Sequence, residues 1–416
     1  MMPLGLRRRL ARISGARVRI EAWGGIVHLR RPAALVYVNR AFLRSLGQGD
    51  DPLWAASSPG ERFHRAPVEL HWTLSRRCDQ RCAHCYTNSL PQAPAFDPSD
   101  LDRLADALAA AGVFQVALGG GEPLAEPHVL EVARALRQRG ILPSTTTSGA
   151  PVTPDLARRL GDFAQINVSM DAIGGGYAAA RGHDRFAMAD GAVRMLQAAG
   201  LRVGLNAVLT RHTFDTLPAL LAHARHRRVA EVELLRLKPT GRGRATYLDD
   251  RLTPAQSAAL LPMVLGHARR FRLRIKLDCS LAPFVYLHRP DARVLRFFRI
   301  HGCEAGDSLG SLDAERRLSG CSFLEPVAGD AVELLTGGWR DSPDLERLRA
   351  YRHDAPSPCR TCEALDLCNG GCRAVSAFLT GDPHRPDPEC PRVAAHAVAQ
   401  GSVTRANARR DHPDAG

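Results

Sequence analysis

Three cysteines, Cys78, Cys82 and Cys85, fall within eight residues in the segment Arg77-Cys78-Asp79-Gln80-Arg81-Cys82-Ala83-His84-Cys85-Tyr86. Their number is informative. A closed structural metal site takes four protein ligands, whereas a catalytic one keeps a position open for water or substrate. Thiolates also hold iron–sulfur clusters, and three of them on a cube of four irons leave one iron free for another ligand. The same loop could form part of a zinc site, so these residues alone leave both chemistries open.

The other eight cysteines all lie at the back of the chain. Cys359-x2-Cys362-x5-Cys368-x3-Cys372 is followed by Cys390 after 17 more residues and preceded by Cys279, Cys303 and Cys321. That many thiols would serve two metal groups, and four-cysteine zinc sites read the same as iron–sulfur sites. The segment 1–19 is basic without an apolar core, a poor secretory signal, so the expected compartment is the cytoplasm. There, 11 cysteines argue for metal binding or catalysis and against disulfides.

A chain of 416 residues, 45% hydrophobic and 24% charged, fits an ordinary globular protein of two or three units. No run approaches the roughly 18 apolar residues of a membrane span. The formal charge of +13 invites a nucleic-acid reading. Yet all 56 basic residues except Lys238 and Lys276 are arginines, spread over every predicted helix. Arginine-rich composition explains this better than a polyanion partner, although an anionic or acidic-peptide substrate stays compatible with it.

Between 67 and 277 short β-rich runs alternate with amphipathic stretches. Strands are expected at 68–74, 115–118, 144–147, 165–170, 202–209 and 231–237, and helices at 101–111, 129–139, 156–160, 187–199, 217–227 and 255–271. Thr253-Pro254-Ala255-Gln256 forms a capping box for the last helix. Such alternation means parallel strands with right-handed crossovers, whose chemistry gathers at the strands' C-terminal ends. Unusual residues do follow the strands: the three cysteines, then Gly119-Gly120-Gly121-Glu122-Pro123, Thr147-Ser148-Gly149, and Ser169-Met170-Asp171. Ahead of this, 1–66 reads as a cap: a hairpin turned at Gly24-Gly25, a strand at 34–38, a short helix through Phe42 and Leu46, and a linker over 47–60. The tail over 399–416, rich in Arg, Asp and Pro, is expected to be disordered.

The C-x3-C-x2-C spacing, with His84 before and Tyr86 after the third cysteine, resembles the signature of the radical S-adenosylmethionine (SAM) superfamily. The resemblance implies an α/β fold with a partial (β/α)6 barrel over 67–277. It implies a [4Fe–4S] cluster on Cys78, Cys82 and Cys85 that delivers an electron to SAM. Gly120, Gly121 and Glu122 match the family's Gly-Gly-Glu-Pro motif, which holds the SAM amino group. Ser169 and Asp171 match a pair near the ribose and carboxylate, and Arg181 matches an arginine that pairs with the carboxylate. Asn206 and the segment 238–244 have family counterparts too, the latter read as solvated turn residues.

The back half is similar to the SPASM extension of peptide-modifying relatives, placed here at 278–398. This implies two auxiliary [4Fe–4S] clusters, one on Cys359, Cys362, Cys368 and Cys390, the other on Cys303, Cys321, Cys372 and Cys279. Arg316 replaces a glycine of that pattern, which is read as a changed turn. The residues 119–123 and 235–244 look most like mycofactocin-type maturases. The implied activity is oxidative modification of a ribosomally made peptide or protein, with or without a separate peptide-binding protein. The electron donor would be a flavodoxin or ferredoxin. The hairpin, strand and helix of the cap are similar to a small peptide-binding module of such enzymes, but too short to be a whole one. Alternatives are a tetrapyrrole or sulfatase substrate, or, from another class, a zinc-stabilised nucleic-acid-binding module. No residue pattern identifies the catalytic acid or base.

Overall fold

The protein is described by a computed structural model over residues 17–30, 33–47, 51–56 and 63–400. The expected tail from 401 on, and the linker residues 48–50 and 57–60, lie outside the described residues. Strands β1 (Arg17–Glu21), β2 (Gly24–Arg30) and β3 (Ala33–Asn39) form an antiparallel sheet. The hairpin turns at Ala22 and Trp23, earlier than expected, because Gly24 is already in register opposite Glu21. The Asn39 side chain accepts from the Phe42 N–H at 2.8 Å and caps the helix Arg40–Ser45.

Two arginines on β1 dock this sheet. Arg17 donates to the carbonyls of Val113 and Ala109 at 2.8 and 2.6 Å, and Arg19 to those of Pro67 and Gly112 at 2.7 and 3.3 Å. Three of these carbonyls lie at or just past the end of the helix Leu101–Ala111. Helix C-termini leave carbonyls without intrahelical partners and attract cations.

The large sheet begins with six parallel strands in sequence order: β4 (Glu69–Ser75), β5 (Gln115–Gly120), β6 (Leu142–Thr147), β7 (Gln165–Ser169), β8 (Val203–Leu209) and β9 (Val232–Arg236). It continues on both sides. β10 (Ile275–Leu277) lies beside β9, and β11 (Leu309–Leu312) pairs in parallel with β4, followed by the antiparallel β12 (Leu318–Ser319). The cysteine-rich half therefore contributes two strands to the sheet of the front half.

The six expected helices appear as Leu101–Ala111, Val129–Gln138, Pro154–Arg159, Phe186–Ala198, Leu217–His226 and Pro254–Phe271. In the first, Leu101, Leu104, Ala105 and Leu108 repeat at helical spacing and are all buried. The Thr253 capping box is closed in both directions: the Gln256 N–H donates to Thr253 Oγ1 at 3.2 Å and the Thr253 N–H to Gln256 Oε1 at 3.1 Å. On β4, Leu70, Trp72 and Leu74 are buried in the core that the helices share, so Glu69, His71 and Thr73 face the other side. Burial would raise the Glu69 carboxyl, but His71 and then Lys276 hold it at about 2. Lys276 is on β10, with five strands between it and β4 in sheet order. The sheet is thus curled into a partial barrel whose lumen is polar: Asn167 donates to Asn206 at 2.6 Å, and Asn206 to Thr146 at 3.0 Å.

A buried pair ties the entry of the barrel to the cysteine-rich half. The His64 N–H and its Nδ1 both reach Asp307 Oδ1, at 2.8 and 3.0 Å. Burial works against the His64 imidazolium, but Asp307 outweighs it and the pKa is raised, while Asp307 is held low by His64 against its own burial. A raised His pKa contributes stability that is complete below the unfolded value of about 6.5 and is lost as pH climbs through the folded value. The lowered Asp307 contributes above about 3.9, and its share is lost as pH falls through the folded value. Thermal melts should therefore show wild type exceeding His64→Gln most at about pH 5–6, with the gap narrowing by about pH 8–9. A gap that is constant over this range contradicts the assignment.

Candidate active site

The cysteine loop leaves β4 at its C-terminal end and is shaped by sulfur-directed hydrogen bonds. The Gln80 N–H points at Cys78 Sγ (3.3 Å), Thr87 Oγ1 lies 3.4 Å from Cys85 Sγ, and His183 Nε2 is 3.7 Å from Cys82 Sγ. Burial raises Cys78 to about 11 and also raises Cys82, whereas at Cys85 the bonds from Thr87 and Ser89 outweigh burial and lower the thiol. The three are electrostatic neighbours in sequence, Cys78 with Cys82 and Cys82 with Cys85.

The glycine motif after β5 packs against this loop. A Cβ on Gly120 would lie 2.2 Å from the Ser75 carbonyl, and one on Gly121 2.0 Å from that of Arg77. Their close approach is to the backbone that carries the cysteines. Glu122 is 3% exposed and accepts four bonds: Thr147 Oγ1 (2.7 Å), Ser148 N (2.7 Å), Ser148 Oγ (2.6 Å) and Leu124 N (3.2 Å). Burial raises its carboxyl although all four donors oppose this. Its side chain thus braces the ends of β5 and β6, and Ser148, the departure from Asn, is one of the braces.

Asp171 and Arg181 are paired with each other. Arg181 Nη1 donates to Asp171 Oδ2 at 2.8 Å, Val208 N–H to Oδ1 at 2.8 Å, and His84 Nε2 lies 3.4 Å from Oδ2. Arg181 and Asp171 are also electrostatic neighbours of Cys82, and His84 of the loop lies beside Asp171, so the pair stands against the cysteine loop. Ser169 ends β7 in register with Asn206. Three buried polar atoms around Cys82 have no protein partner, Arg181 Nε, Tyr177 OH and His183 Nδ1. Unmatched buried donors beside three thiols suit a polar, charged ligand.

The segment 238–244 is not a solvated turn. Arg242 Nε donates to the Cys82 carbonyl (3.0 Å), its Nη1 to that of Ser89 (2.7 Å), and its N–H to that of Cys85 (2.8 Å). Gly241, at φ +56°, comes so near that a Cβ would lie 2.3 Å from the Cys85 carbonyl. Sequence reasoning missed this clasp, although two glycines flanking an arginine just past a strand were the available signal.

All 11 cysteines are free thiols. The eight at the back fall into two sets. Cys303 and Cys321 act on Cys279, Cys303 and Cys372 on Cys321, and Cys303 on Cys372. Separately, Cys390 and Cys359 act on Cys368, Cys359 on Cys390, and Cys362 on Cys359. Among the described residues no three His, Cys, Asp or Glu side chains stand close enough to bind one metal ion; a tetrahedral zinc would gather its sulfurs at about 2.3 Å. Arg316 keeps the conformation a glycine would take, φ +63°, and its guanidinium is tied to Asp100.

Both thiol sets are fastened to β9 by Asp387. It accepts from Arg236 Nη1 (2.6 Å) and from the Cys372 N–H (3.1 Å), and its carbonyl accepts from the Cys390 N–H (3.0 Å). The side chains of Arg236 and Asp387 are 3% and 0% exposed. Asp387→Ala should cost about 1.5–3 kcal/mol in chemical denaturation of anaerobically prepared protein, because the buried Arg236 guanidinium loses its bidentate carboxylate and keeps only Glu389 at 2.8 Å. A loss below about 1 kcal/mol would show that the pair does not carry this load.

The chain matches the radical SAM superfamily over residues 72–224. It is 30% identical to the mycofactocin maturase MftC of Mycobacterium ulcerans over 348 residues, covering 80% of this chain and 91% of that protein. It is 28% identical to the PqqA peptide cyclase of Ruegeria pomeroyi over 357 residues, covering 80% and 89%. In fold it is similar to Streptococcus suis SuiB bound to S-adenosylmethionine, with a TM-score of 0.72 over 91% of this chain and 99% of that one, at 17% identity. SuiB bound to its precursor peptide SuiA gives the same TM-score of 0.72. Among the described residues no helix is long and apolar enough to cross a membrane. The three-thiol loop at a barrel strand end, the cysteine-rich extension and these relatives together place the chain in the radical SAM superfamily, as an enzyme of its SPASM-type maturase branch.

Proposed function

We propose that the chain oxidatively modifies a ribosomally made peptide, using a [4Fe–4S] cluster held by Cys78, Cys82 and Cys85 and two auxiliary [4Fe–4S] clusters held by the rear thiols. The observation that carries this reading is a loop of three free thiols at the end of a barrel strand in a chain 30% identical to a mycofactocin maturase, and the electrostatic linkage of the rear thiols in two groups supports it. The three-thiol group leaves an iron open. Cys78, Cys82 and Cys85 would hold the cluster, which, reduced by one electron from an external donor, would let bound SAM supply a 5′-deoxyadenosyl radical for hydrogen abstraction.

The chain's own residues hold and screen that site. With the Glu122 carboxylate committed to Thr147, Ser148 and Leu124, Gly120 and Gly121 are assigned to the SAM amino group through backbone carbonyls. Arg181, with Nε unmatched, is assigned to the SAM carboxylate while Asp171 holds it in place, and Ser169 to the ribose side. Arg242 and Gly241 fix the cysteine loop and keep water from its underside. Cys279, Cys303, Cys321 and Cys372 are assigned to one auxiliary cluster, and Cys359, Cys362, Cys368 and Cys390 to the other. The barrel is assigned to 67–277, the auxiliary domain to 278–398 with β11 and β12 lent to the sheet, and the cap to 1–66.

A peptide substrate is favoured over a tetrapyrrole or nucleic acid because the relatives above are named for peptide cyclisation and maturation, and SuiB is seen with a precursor peptide. Reduction by a flavodoxin or ferredoxin in the cytoplasm completes the reading. Anaerobically purified protein should be brown, carry about twelve irons per chain and form 5′-deoxyadenosine from SAM on reduction. Cys78→Ala/Cys82→Ala/Cys85→Ala should lose about four irons and all 5′-deoxyadenosine while keeping the rest of the iron. A colourless zinc protein, or a triple variant that still cleaves SAM, contradicts the assignment. A short peptide encoded beside the gene should change mass on incubation with enzyme, SAM and reductant, and an unchanged peptide counts against the substrate class.

A further inference from the structure

Lys238 is one of two lysines among 56 basic residues, and it is 7% exposed. Its ammonium donates to Asp278, to Ser280 Oγ at 2.8 Å and to the Arg236 carbonyl at 3.1 Å. Asp278 and Ser280 are the residues on either side of Cys279. The same Nζ lies 5.0 Å from the ring centroid of Phe323, two residues past Cys321. Leu237, the preceding residue, packs in one apolar cluster with Cys372. One compact cation thus stands beside the segments that carry three of the four thiols of this set. Phe323 continues edge-on to Tyr86 at 5.3 Å, so the ammonium also lies between this set and the three-cysteine loop.

Lys238 acts on Cys279, Cys321 and Cys372, whereas Asp278 acts chiefly on Cys279. Around a group that gains negative charge on reduction, a fixed cation favours the reduced form and a fixed anion the oxidised form. Burial leaves both effects weakly screened.

We propose that Lys238 and Asp278 tune the reduction potential of the cluster on Cys279, Cys303, Cys321 and Cys372, the lysine raising it and the aspartate lowering it. The inference rests on the auxiliary-cluster reading above. It goes beyond that reading by naming charges that bind no iron.

The test is an EPR-monitored redox titration in the Cys78→Ala/Cys82→Ala/Cys85→Ala background, which leaves only the rear clusters to titrate. Lys238→Gln should lower the midpoint potential of one cluster, Asp278→Asn should raise that same one, and the other cluster should stay put as an internal reference. Shifts of the same sign, or none, overturn the inference while leaving the two-cluster reading intact. A background protein without two clusters overturns both. If Lys238→Gln fails to take up iron, Asp278→Asn decides alone. Loss of the cluster from both variants counts against tuning, since it assigns the pair to assembly.

Discussion

The buried ion pair between Arg236 and Asp387 is the joint on which the rest of the molecule turns. Arg236 ends a barrel strand, and Asp387 lies between the two sets of rear cysteines, holding the backbone of Cys372 with its carboxylate and that of Cys390 with its carbonyl. Neither side chain is open to water. A buried pair of this kind adds little net stability over an apolar one, but removing Asp387 is costly because the buried Arg236 would keep only Glu389 as a carboxylate partner. It therefore acts as a register pin. From the same strand end, Lys238 reaches Asp278 and Ser280, the residues on either side of Cys279, and Arg242 reaches the backbone of Cys82 and Cys85, so one short stretch positions all three thiol groups relative to each other.

The second constraint is desolvation. Burial raises nearly every described thiol whose shift is resolved, and Cys85 alone is brought down by its hydrogen bonds. Thiols kept this dry do not ionise by themselves. They become good ligands when a metal group supplies the positive charge that water no longer does. A sequence that crowds free thiols into dry sites without disulfides is one that expects such groups to arrive during folding. Arg392, whose Nη1 donates to Cys362 Sγ at 3.1 Å, and the Gln80 N–H at Cys78 are the sort of donors that steady thiolate charge.

Much of this was legible in the chain. The six barrel strands and their helices were found to within a few residues, because alternating burial on strands and helical repeats such as Leu101, Leu104 and Leu108 are local signals. The rule that chemistry follows strand ends located the cysteines, the glycine motif and Asp171. What stayed hidden was non-local. Nothing near Leu309 says that it will pair with Glu69, some 240 residues earlier. Arg242 reads as a loop arginine until its carbonyl partners are in view. Arg316 holds a left-handed backbone at a cost of about 1–2 kcal/mol, and its tie to Asp100 from another element is not visible in the local sequence. Glu122 stands where the motif places it, and the bonds it accepts from Thr147 and Ser148 come from the end of another strand.

The central claim is that Cys78, Cys82 and Cys85 leave one iron open for SAM. It is tested most directly by electron–nuclear double resonance on the reduced protein with SAM labelled in its amino nitrogen and carboxylate oxygens. The account predicts hyperfine coupling from both labels to a single iron site, present in the wild type and absent from the triple alanine variant. Labels that remain uncoupled while SAM is demonstrably bound would contradict it.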